Sequence, residues 1–285
     1  MPKKRRTRRK FRYKKEMMIV AAVSVITILL IGIIHMIRME QRNEEEMKLI
    51  NSPLFEHTYD WTNLRRLTNR MTYEDDNYTS LQGIDVSSHQ GTIDWQKVKE
   101  DGIDFAFIRV GYRGYYYGEI HDDTEFINNI NGAKTNGIKV GVYFFSQAMN
   151  AEEAREEADF VFDRIRGYEL DLPVVFDMEE DVDGNEGRVK PLSREEKTTA
   201  AVTFLRHVRN AGYTPMIYNS SKLYEQMYVI EYLQEFGIWV ADYTGTPQYD
   251  YRFSIWQYTS EGSVDGVKGN CDMDIMFVEK NNSGQ

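Results

Sequence analysis

From residue 82 to residue 277, short apolar segments alternate with longer amphipathic ones. The apolar segments read as strands and the amphipathic ones as helices. Strands that alternate with helices pair in parallel, and eight of them suffice for a closed barrel. The sequence therefore predicts an α/β fold with a TIM-like barrel, whose later strands are less regularly separated by helices. The predicted strands are 83–86, 105–110, 140–145, 174–178, 215–218, 238–241, 254–257 and 273–277, and the helices are 95–100, 125–136, 151–165 and 194–210.

The fourth predicted strand ends in a pair of acids, Asp177 and Glu179. Side chains alternate along a strand, so both carboxylates point the same way, with Cα atoms about 6.5 Å apart. Burying two such acids costs free energy unless they are solvated, paired with other groups or needed for function. Two neighbouring carboxyls suit general acid/base catalysis at a glycosidic bond. A strand that runs out into an acidic loop is the alternative, because Glu180, Asp181 and Asp183 follow.

Other acids recur near predicted strand ends: Asp85 in the first strand, Asp242 after the sixth, and Asp272 and Asp274 near the last. Barrel active sites gather at the C-terminal ends of strands. We therefore expect these acids to share one end of the barrel. Chance placement of surface acids is the competing explanation in so acidic a chain.

Charge is distributed unevenly along the 285 residues. Residues 1–16 hold ten of the 35 Lys and Arg side chains and one acid, Glu16, although the whole chain has a formal charge of −10. An acidic main body argues against nucleic acid as a partner. The single cysteine, Cys271, excludes an intramolecular disulfide and a cysteine metal cluster.

Residues 17–37 contain no Lys, Arg, Asp or Glu. A helix of this length reaches about 30 Å, enough to cross a bilayer core. With the basic flank inside, the sequence predicts a single-pass protein of the cell membrane with a cytoplasmic N-terminus and an extracytoplasmic barrel. The expected order is a basic tail (1–16), a transmembrane helix (17–38), a stem or linker (39–80), the barrel (81–281) and a C-terminal tail (282–285). A cleaved signal peptide is the alternative, but residues 35–40 offer no small-residue cleavage site.

Five segments, in order along the chain, resemble the glycoside hydrolase family 25 lysozymes: 83–95, 105–114, 138–146, 173–179 and 256–274. The resemblance implies an irregular β/α barrel with some antiparallel late strands. It also implies a muramidase that cleaves the β-1,4 bond between N-acetylmuramic acid and N-acetylglucosamine in bacterial peptidoglycan, with no metal or organic cofactor. Met178 departs from many relatives, which carry Trp between the two acids. Since position 178 faces opposite its neighbours, the change affects packing behind the site.

By this resemblance Glu179 is the general acid/base, Asp177 its partner carboxylate, and Asp85 and Asp274 further active-site acids. Aromatic residues are candidate cleft walls that stack on sugar rings, with ordinary barrel packing as the alternative. We interpret His89 as a polar residue that fixes the first loop. The candidate wall residues are Tyr143, Phe145, Trp239, Tyr243 and Trp256.

Cleavage requires one protonated acid at the leaving oxygen and one negative group near the oxocarbenium-like centre. Asp177 either attacks directly or positions the substrate's N-acetyl group for attack, and both routes retain configuration. An anchored hydrolase of this kind suits local remodelling of the cell wall. A catalytically silent, membrane-anchored wall-binding or scaffold domain is the alternative function.

Overall fold

The computed structural model describes residues 3–182 and 184–280, and the chain divides into two compact units between Ser52 and Pro53. The first unit consists of one long helix, α1 (Lys3–Ile50). Its stretch Glu16–Gln41 has the length and apolar composition of a membrane span. A signal sequence has the same two properties, so the helix by itself does not distinguish the two.

The second unit is a closed barrel of eight strands with helices outside it. The strands are β1 (Leu64–Arg66), β2 (Met71–Tyr73), β3 (Tyr78–Val86), β4 (Phe105–Arg113), β5 (Ile120–Asp122), β6 (Lys139–Ser146), β7 (Val174–Met178), β8 (Asp181–Val182), β9 (Asn185–Glu186), β10 (Pro215–Ser220), β11 (Gly237–Ala241), β12 (Ile255–Gly262) and β13 (Cys271–Glu279). The order around the barrel is β3, β13, β12, β11, β10, β7, β6 and β4, and β4 pairs again with β3. Among these eight barrel strands all pairings are parallel except those of β13, which runs antiparallel to β12 and β3.

All eight predicted strands and all four predicted helices are confirmed, and so is the barrel. The helices are α2 (Trp95–Glu100), α3 (Phe126–Thr135), α4 (Ala151–Ile165), α5 (Arg194–Asn210) and a short α6 (Tyr224–Met227). Side-chain caps fix where the longer ones begin. Asn150 accepts from two backbone N–H groups at the start of α4, and Ser193 and Glu196 form a capping box at the start of α5.

Part of the predicted stem belongs to the barrel unit. Tyr59 stacks on Phe277 with ring centroids 4.0 Å apart, and its hydroxyl donates to the carbonyl of Phe253 at 2.7 Å. These contacts lie where β12 begins and β13 ends, so Tyr59 packs against that end of the barrel. The predicted C-terminal tail, 282–285, and residues 1–2 of the predicted basic tail lie outside the described residues.

Two hydrophobic layers hold the barrel together. One fills its interior and contains Phe105, Phe107 and Trp239; the other lies between the sheet and the helices. Gly83 makes room for the inner layer, because a Cβ there would lie only 2.0 Å from the Phe105 ring. Strand alternation assigns each residue to one layer or the other.

Candidate active site

On several strands, inward-facing positions change from apolar to polar toward one end of the barrel. On β7, Val175 packs in the interior and is followed by Asp177 and Glu179 at the same face. On β12, Ile255 is likewise followed by Gln257. The C-terminal ends of the parallel strands therefore form a polar mouth, as expected for a barrel enzyme.

The mouth opens into a cleft of about 440 Å³. A second cavity of about 410 Å³ shares Glu179, Tyr218 and Tyr243 with it, so Glu179 lies where the two meet. Both volumes are in the range of ligand-binding sites. The first cleft is lined by Asp85, His89, Arg109, Tyr143, Phe145, Asp177, Glu179, Tyr218, Trp239, Tyr243, Gln257, Ser260 and Asp272.

Asp177 is the buried member of the strand-end pair. Burial raises the pKa of Asp177 well above its usual range, the negative charge of Glu179 raises it further, and Arg109 opposes both. Its Oδ1 atom has no hydrogen-bond partner among the described residues. The two carboxyls therefore resist ionising together, which is the condition for one to carry a proton beside a negative partner.

Three more acids meet across the seam between β3 and β13. Asp272 pairs with Asp85 in register, and because β13 is antiparallel its first residues lie at the mouth. Asp274 is fully buried, and its Oδ1 accepts from the Trp239 indole at 3.0 Å. Burial, followed by the charges of Asp272 and Asp274, raises the pKa of Asp85, and burial raises that of Asp272 to about 6. The three carboxyls therefore do not all ionise at once.

Gln257 connects this acid cluster to two tyrosines of the cleft. Its Oε1 accepts from the hydroxyls of Tyr218 at 2.9 Å and Tyr243 at 2.5 Å. Its Nε2 donates to Asp85 Oδ2 at 2.7 Å. Because the amide accepts through oxygen and donates through nitrogen, these bonds fix its orientation. Gln257 thus holds the Asp85 carboxyl in place.

The structure brings most of the sequence-predicted residues together. Asp85, Asp177, Glu179 and four of the five candidate aromatic residues line the cleft, whereas Asp274 lies below it. Trp256 requires a correction. It is completely buried in the outer layer, where its indole donates to the Asp242 carbonyl at 2.8 Å, because β12 turns its neighbours Ile255 and Gln257 inward. Trp256 does not form a cleft wall.

Arg109 was not predicted from the sequence, although alternation from Phe105 and Phe107 points to it. Its Nε donates to Asp123 at 2.8 Å, and a terminal nitrogen donates to Ser88 at 3.1 Å. This network also explains the first loop, since Asp123 accepts from the Ser88 N–H.

His89 does not fix that loop through its ring. Ser87 and Gln90 cap the short helical turn 88–90, and the imidazole of His89 faces the cleft. Ser87, Gln90 and Asp123 therefore fix the first loop, in place of His89.

Two other acids have structural partners. Burial alone would raise the pKa of Asp242, but hydrogen bonds from Ser221, Thr244 and Gln248 outweigh it and lower the pKa. Glu180 forms an ion pair of 2.6 Å with the buried Lys197. The acidic-loop interpretation therefore applies to Glu180, whereas Asp177 and Glu179 face the cleft.

A closed β/α barrel with paired carboxylates in a cleft at its mouth is the architecture of a glycoside hydrolase. The sequence profile of the glycosyl hydrolases family 25 matches residues 84–267, and the chain belongs to this family.

Several lysozymes are similar to this chain in sequence or fold. The chain is 26% identical over 195 residues to the autolytic lysozyme of Clostridium acetobutylicum, covering 68% of this chain and 55% of the relative. It is 30% identical over 206 residues to lysozyme M1 of Streptomyces globisporus, covering 68% and 67%. The modular autolysin LytC of Streptococcus pneumoniae, solved with a synthetic peptidoglycan ligand, has the same fold, with a TM-score of 0.61, 24% identity, and coverage of 79% and 52%. This chain thus spans about half the length of the clostridial lysozyme and of LytC.

Proposed function

We propose that this protein hydrolyses peptidoglycan at the β-1,4 bond between N-acetylmuramic acid and N-acetylglucosamine. The observation that carries the proposal is the position of Glu179, at the junction of two cavities and two residues from the buried Asp177. Membership of family 25, lysozymes among the relatives, and the peptidoglycan ligand of LytC support the choice of polymer.

Glu179 is the proposed proton donor. It protonates the leaving glycosidic oxygen as the C–O bond breaks, and then takes a proton from the water that completes hydrolysis. Its place at the cavity junction gives it access to a strand that crosses both cavities. Glu179 acts as an acid in the first step and as a base in the second.

Asp177 stabilises the positive charge that develops at the sugar ring. Its Oδ1 atom, without a partner among the described residues, is available either to the anomeric carbon or to the N–H of the substrate's acetamido group. In the second case the acetamido oxygen attacks. Both routes give retention of configuration, and a glycosyl adduct on Asp177 in the intact-protein mass separates them.

The α1 helix is proposed to remain as a membrane anchor, with residues 1–16 in the cytoplasm and the barrel on the wall side. The basic block next to the apolar stretch supports this orientation. Anchoring confines hydrolysis to wall near the membrane, which suits local remodelling. Cell fractionation tests it: we expect full-length protein in the membrane fraction, and a processed form in the medium would contradict it.

Replacement of Glu179 tests the hydrolase itself. We expect full-length Glu179→Gln to fold normally and to lose activity on purified cell walls by about 10²–10⁴-fold, the usual contribution of an acid/base group. Glu279→Gln, an exposed acid at the other end of the barrel, is the matched control and should retain activity. Retained activity in Glu179→Gln would show that Glu179 is not the proton donor.

The reducing ends of the digested wall identify the bond. Muramic acid ends support the proposed muramidase, and glucosamine ends would assign a glucosaminidase instead. Absence of cleavage by the unmodified protein, with binding retained, would favour the wall-binding alternative.

A further inference from the structure

The turn between β4 and β5, residues 114–119, carries three consecutive tyrosines and is called the tyrosine turn here. Tyr116 and Tyr117 are 69% and 87% exposed. Tyr117 is the most exposed large hydrophobic side chain in the described part of the barrel unit. Clustered exposed aromatic rings on a loop indicate an interaction site more often than isolated ones do.

The tyrosine turn is held rigidly from below. Arg113, itself buried, donates to the Gly118 carbonyl at 2.7 Å and pairs with buried Glu157 at 2.7 Å. Gly114 and Glu119 are joined by a backbone hydrogen bond of 2.9 Å. Gly118 has φ of 78°, and a Cβ there would strike the guanidinium of Arg188. The exposed rings are therefore displayed on a fixed turn, which lowers the entropic cost of binding.

Aromatic contacts continue from this turn into the cleft. Tyr115 meets Phe145 at a centroid distance of 5.6 Å, and Phe145 lines the cleft and pairs in register with Asp177. Around the barrel, β4 and β6 lie on one side of β7, whereas the second cavity lies between β10 and β11 on the other. A strand that crosses Glu179 from the second cavity and continues past Phe145 would reach the tyrosine turn.

We propose that Tyr116 and Tyr117 form a distal binding site for an N-acetylhexosamine ring of the glycan strand, beyond the sugars held in the cleft. Flat aromatic faces suit the apolar face of a pyranose, and the phenolic hydroxyls suit its polar rim. This inference rests on the proposed function for the polymer, but it concerns binding rather than cleavage. The site favours long strands because they alone reach both the cleft and the turn.

Binding to full-length Glu179→Gln, which separates binding from cleavage, tests the site. The probes are long peptidoglycan glycan strands freed of peptides and a tetrasaccharide from the same strands. Adding both Tyr116→Ala and Tyr117→Ala to this variant should weaken binding of the long strands about tenfold and leave the affinity for the tetrasaccharide unchanged. Tyr116→Phe with Tyr117→Phe should retain most of the affinity, since the ring faces remain. Phe55→Ala, which removes an exposed aromatic ring at the other end of the barrel, is the control.

Unchanged affinity for long strands in the double alanine variant would overturn the distal site. Equal losses for both probes would overturn it too, because the effect would then lie in the cleft. The proposed function is judged separately by cleavage of walls by the unmodified protein. If cleavage fails while the tyrosine-dependent binding persists, the distal site stands and the hydrolase proposal falls.

Discussion

Two groups of buried carboxylates in the barrel differ in how their charge is compensated. Glu157, on α4, is paired with Arg113 at 2.7 Å and accepts from Ser146 at 2.6 Å. The second group lies in or directly below the cleft and is called the mouth carboxylates here. It consists of Asp85, Asp177, the partly buried Asp272, and Asp274, which lies just below the cleft. Within the described part of the chain, no mouth carboxylate forms an ion pair of 4.0 Å or less; Arg109 pairs with Asp123 and acts on Asp177 only as a more distant charge.

Burial alone therefore does not distinguish a structural acid from a functional one. Burial raises the pKa of Glu157 to about 7 and that of Asp272 to about 6. Glu157 is compensated by a cation and a hydroxyl, whereas the mouth carboxylates face one another and retain two acceptor atoms without partners. A fold selected for stability alone would pair or remove such groups, so the mouth carboxylates point to function.

Asp177→Asn should show the largest effect, and it should be on catalysis. Replacing the carboxyl beside Glu179 is expected to lower activity by about 10²–10⁴-fold, because the positive charge that develops at the sugar ring loses the group that stabilises it. The free energy of unfolding should not fall, since the carboxyl that is removed is buried and forms no close ion pair within the described residues. Wall digestion and denaturant unfolding of the full-length variant measure both quantities. A stability loss of several kcal/mol would place Asp177 in the same class as Glu157.

Arg113→Met should give the opposite pattern. It leaves Glu157 buried without its cation and is expected to cost about 3–5 kcal/mol of stability. Turnover of a tetrasaccharide per folded molecule should be unchanged, because Arg113 lies outside the cleft. The double variant Arg113→Met with Glu157→Leu should recover most of the loss. If the double variant is as unstable as the single one, Arg113 does not stabilise the fold by compensating the charge of Glu157.

The pH dependence of stability should separate the groups further. Asp272 has a folded pKa raised to about 6, so the folded state holds a proton that the unfolded chain releases near pH 4. Its stabilising contribution is present below pH 4 and is lost as the pH rises through 6. Asp272→Asn should flatten this fall and raise stability at neutral pH by about 1–3 kcal/mol. Denaturant unfolding between pH 4 and pH 8 tests it, and an unchanged slope would contradict it.

Gln257→Glu should have the smallest effect. Glutamate can still accept from Tyr218 and Tyr243 but cannot donate to Asp85 when ionised, and it adds a charge to the mouth carboxylates. We expect activity to fall about tenfold, with the acidic limb of the pH–rate profile displaced. Gln257→Met, which adds no charge, should lower activity without that displacement. Identical profiles for the two variants would show that Gln257 acts through packing alone.

Local patterns predicted much of this molecule. Hydrophobic periodicity located all eight barrel strands, because each strand must bury its apolar side chains wherever it lies. Alternation within β7 placed Asp177 and Glu179 on one face, and the same rule applied to β4 or β12 would have indicated Arg109 and Gln257. Alternation does not reveal which of the two faces of a strand turns into the barrel. For this reason the prediction placed Trp256 on the inner face of β12, whereas it lies on the outer face.

The sequence by itself thus determined the elements, the strand-end pair of Asp177 and Glu179, and the family, since these depend on residues close together in the chain. An antiparallel late strand was expected from the family resemblance, but only the tertiary structure decided that this strand is β13 and that its register brings Asp272 opposite Asp85 at the mouth. It also decided that the tyrosine turn adjoins Phe145. Such contacts join residues far apart in sequence, and they follow from strand order and barrel closure rather than from any local preference.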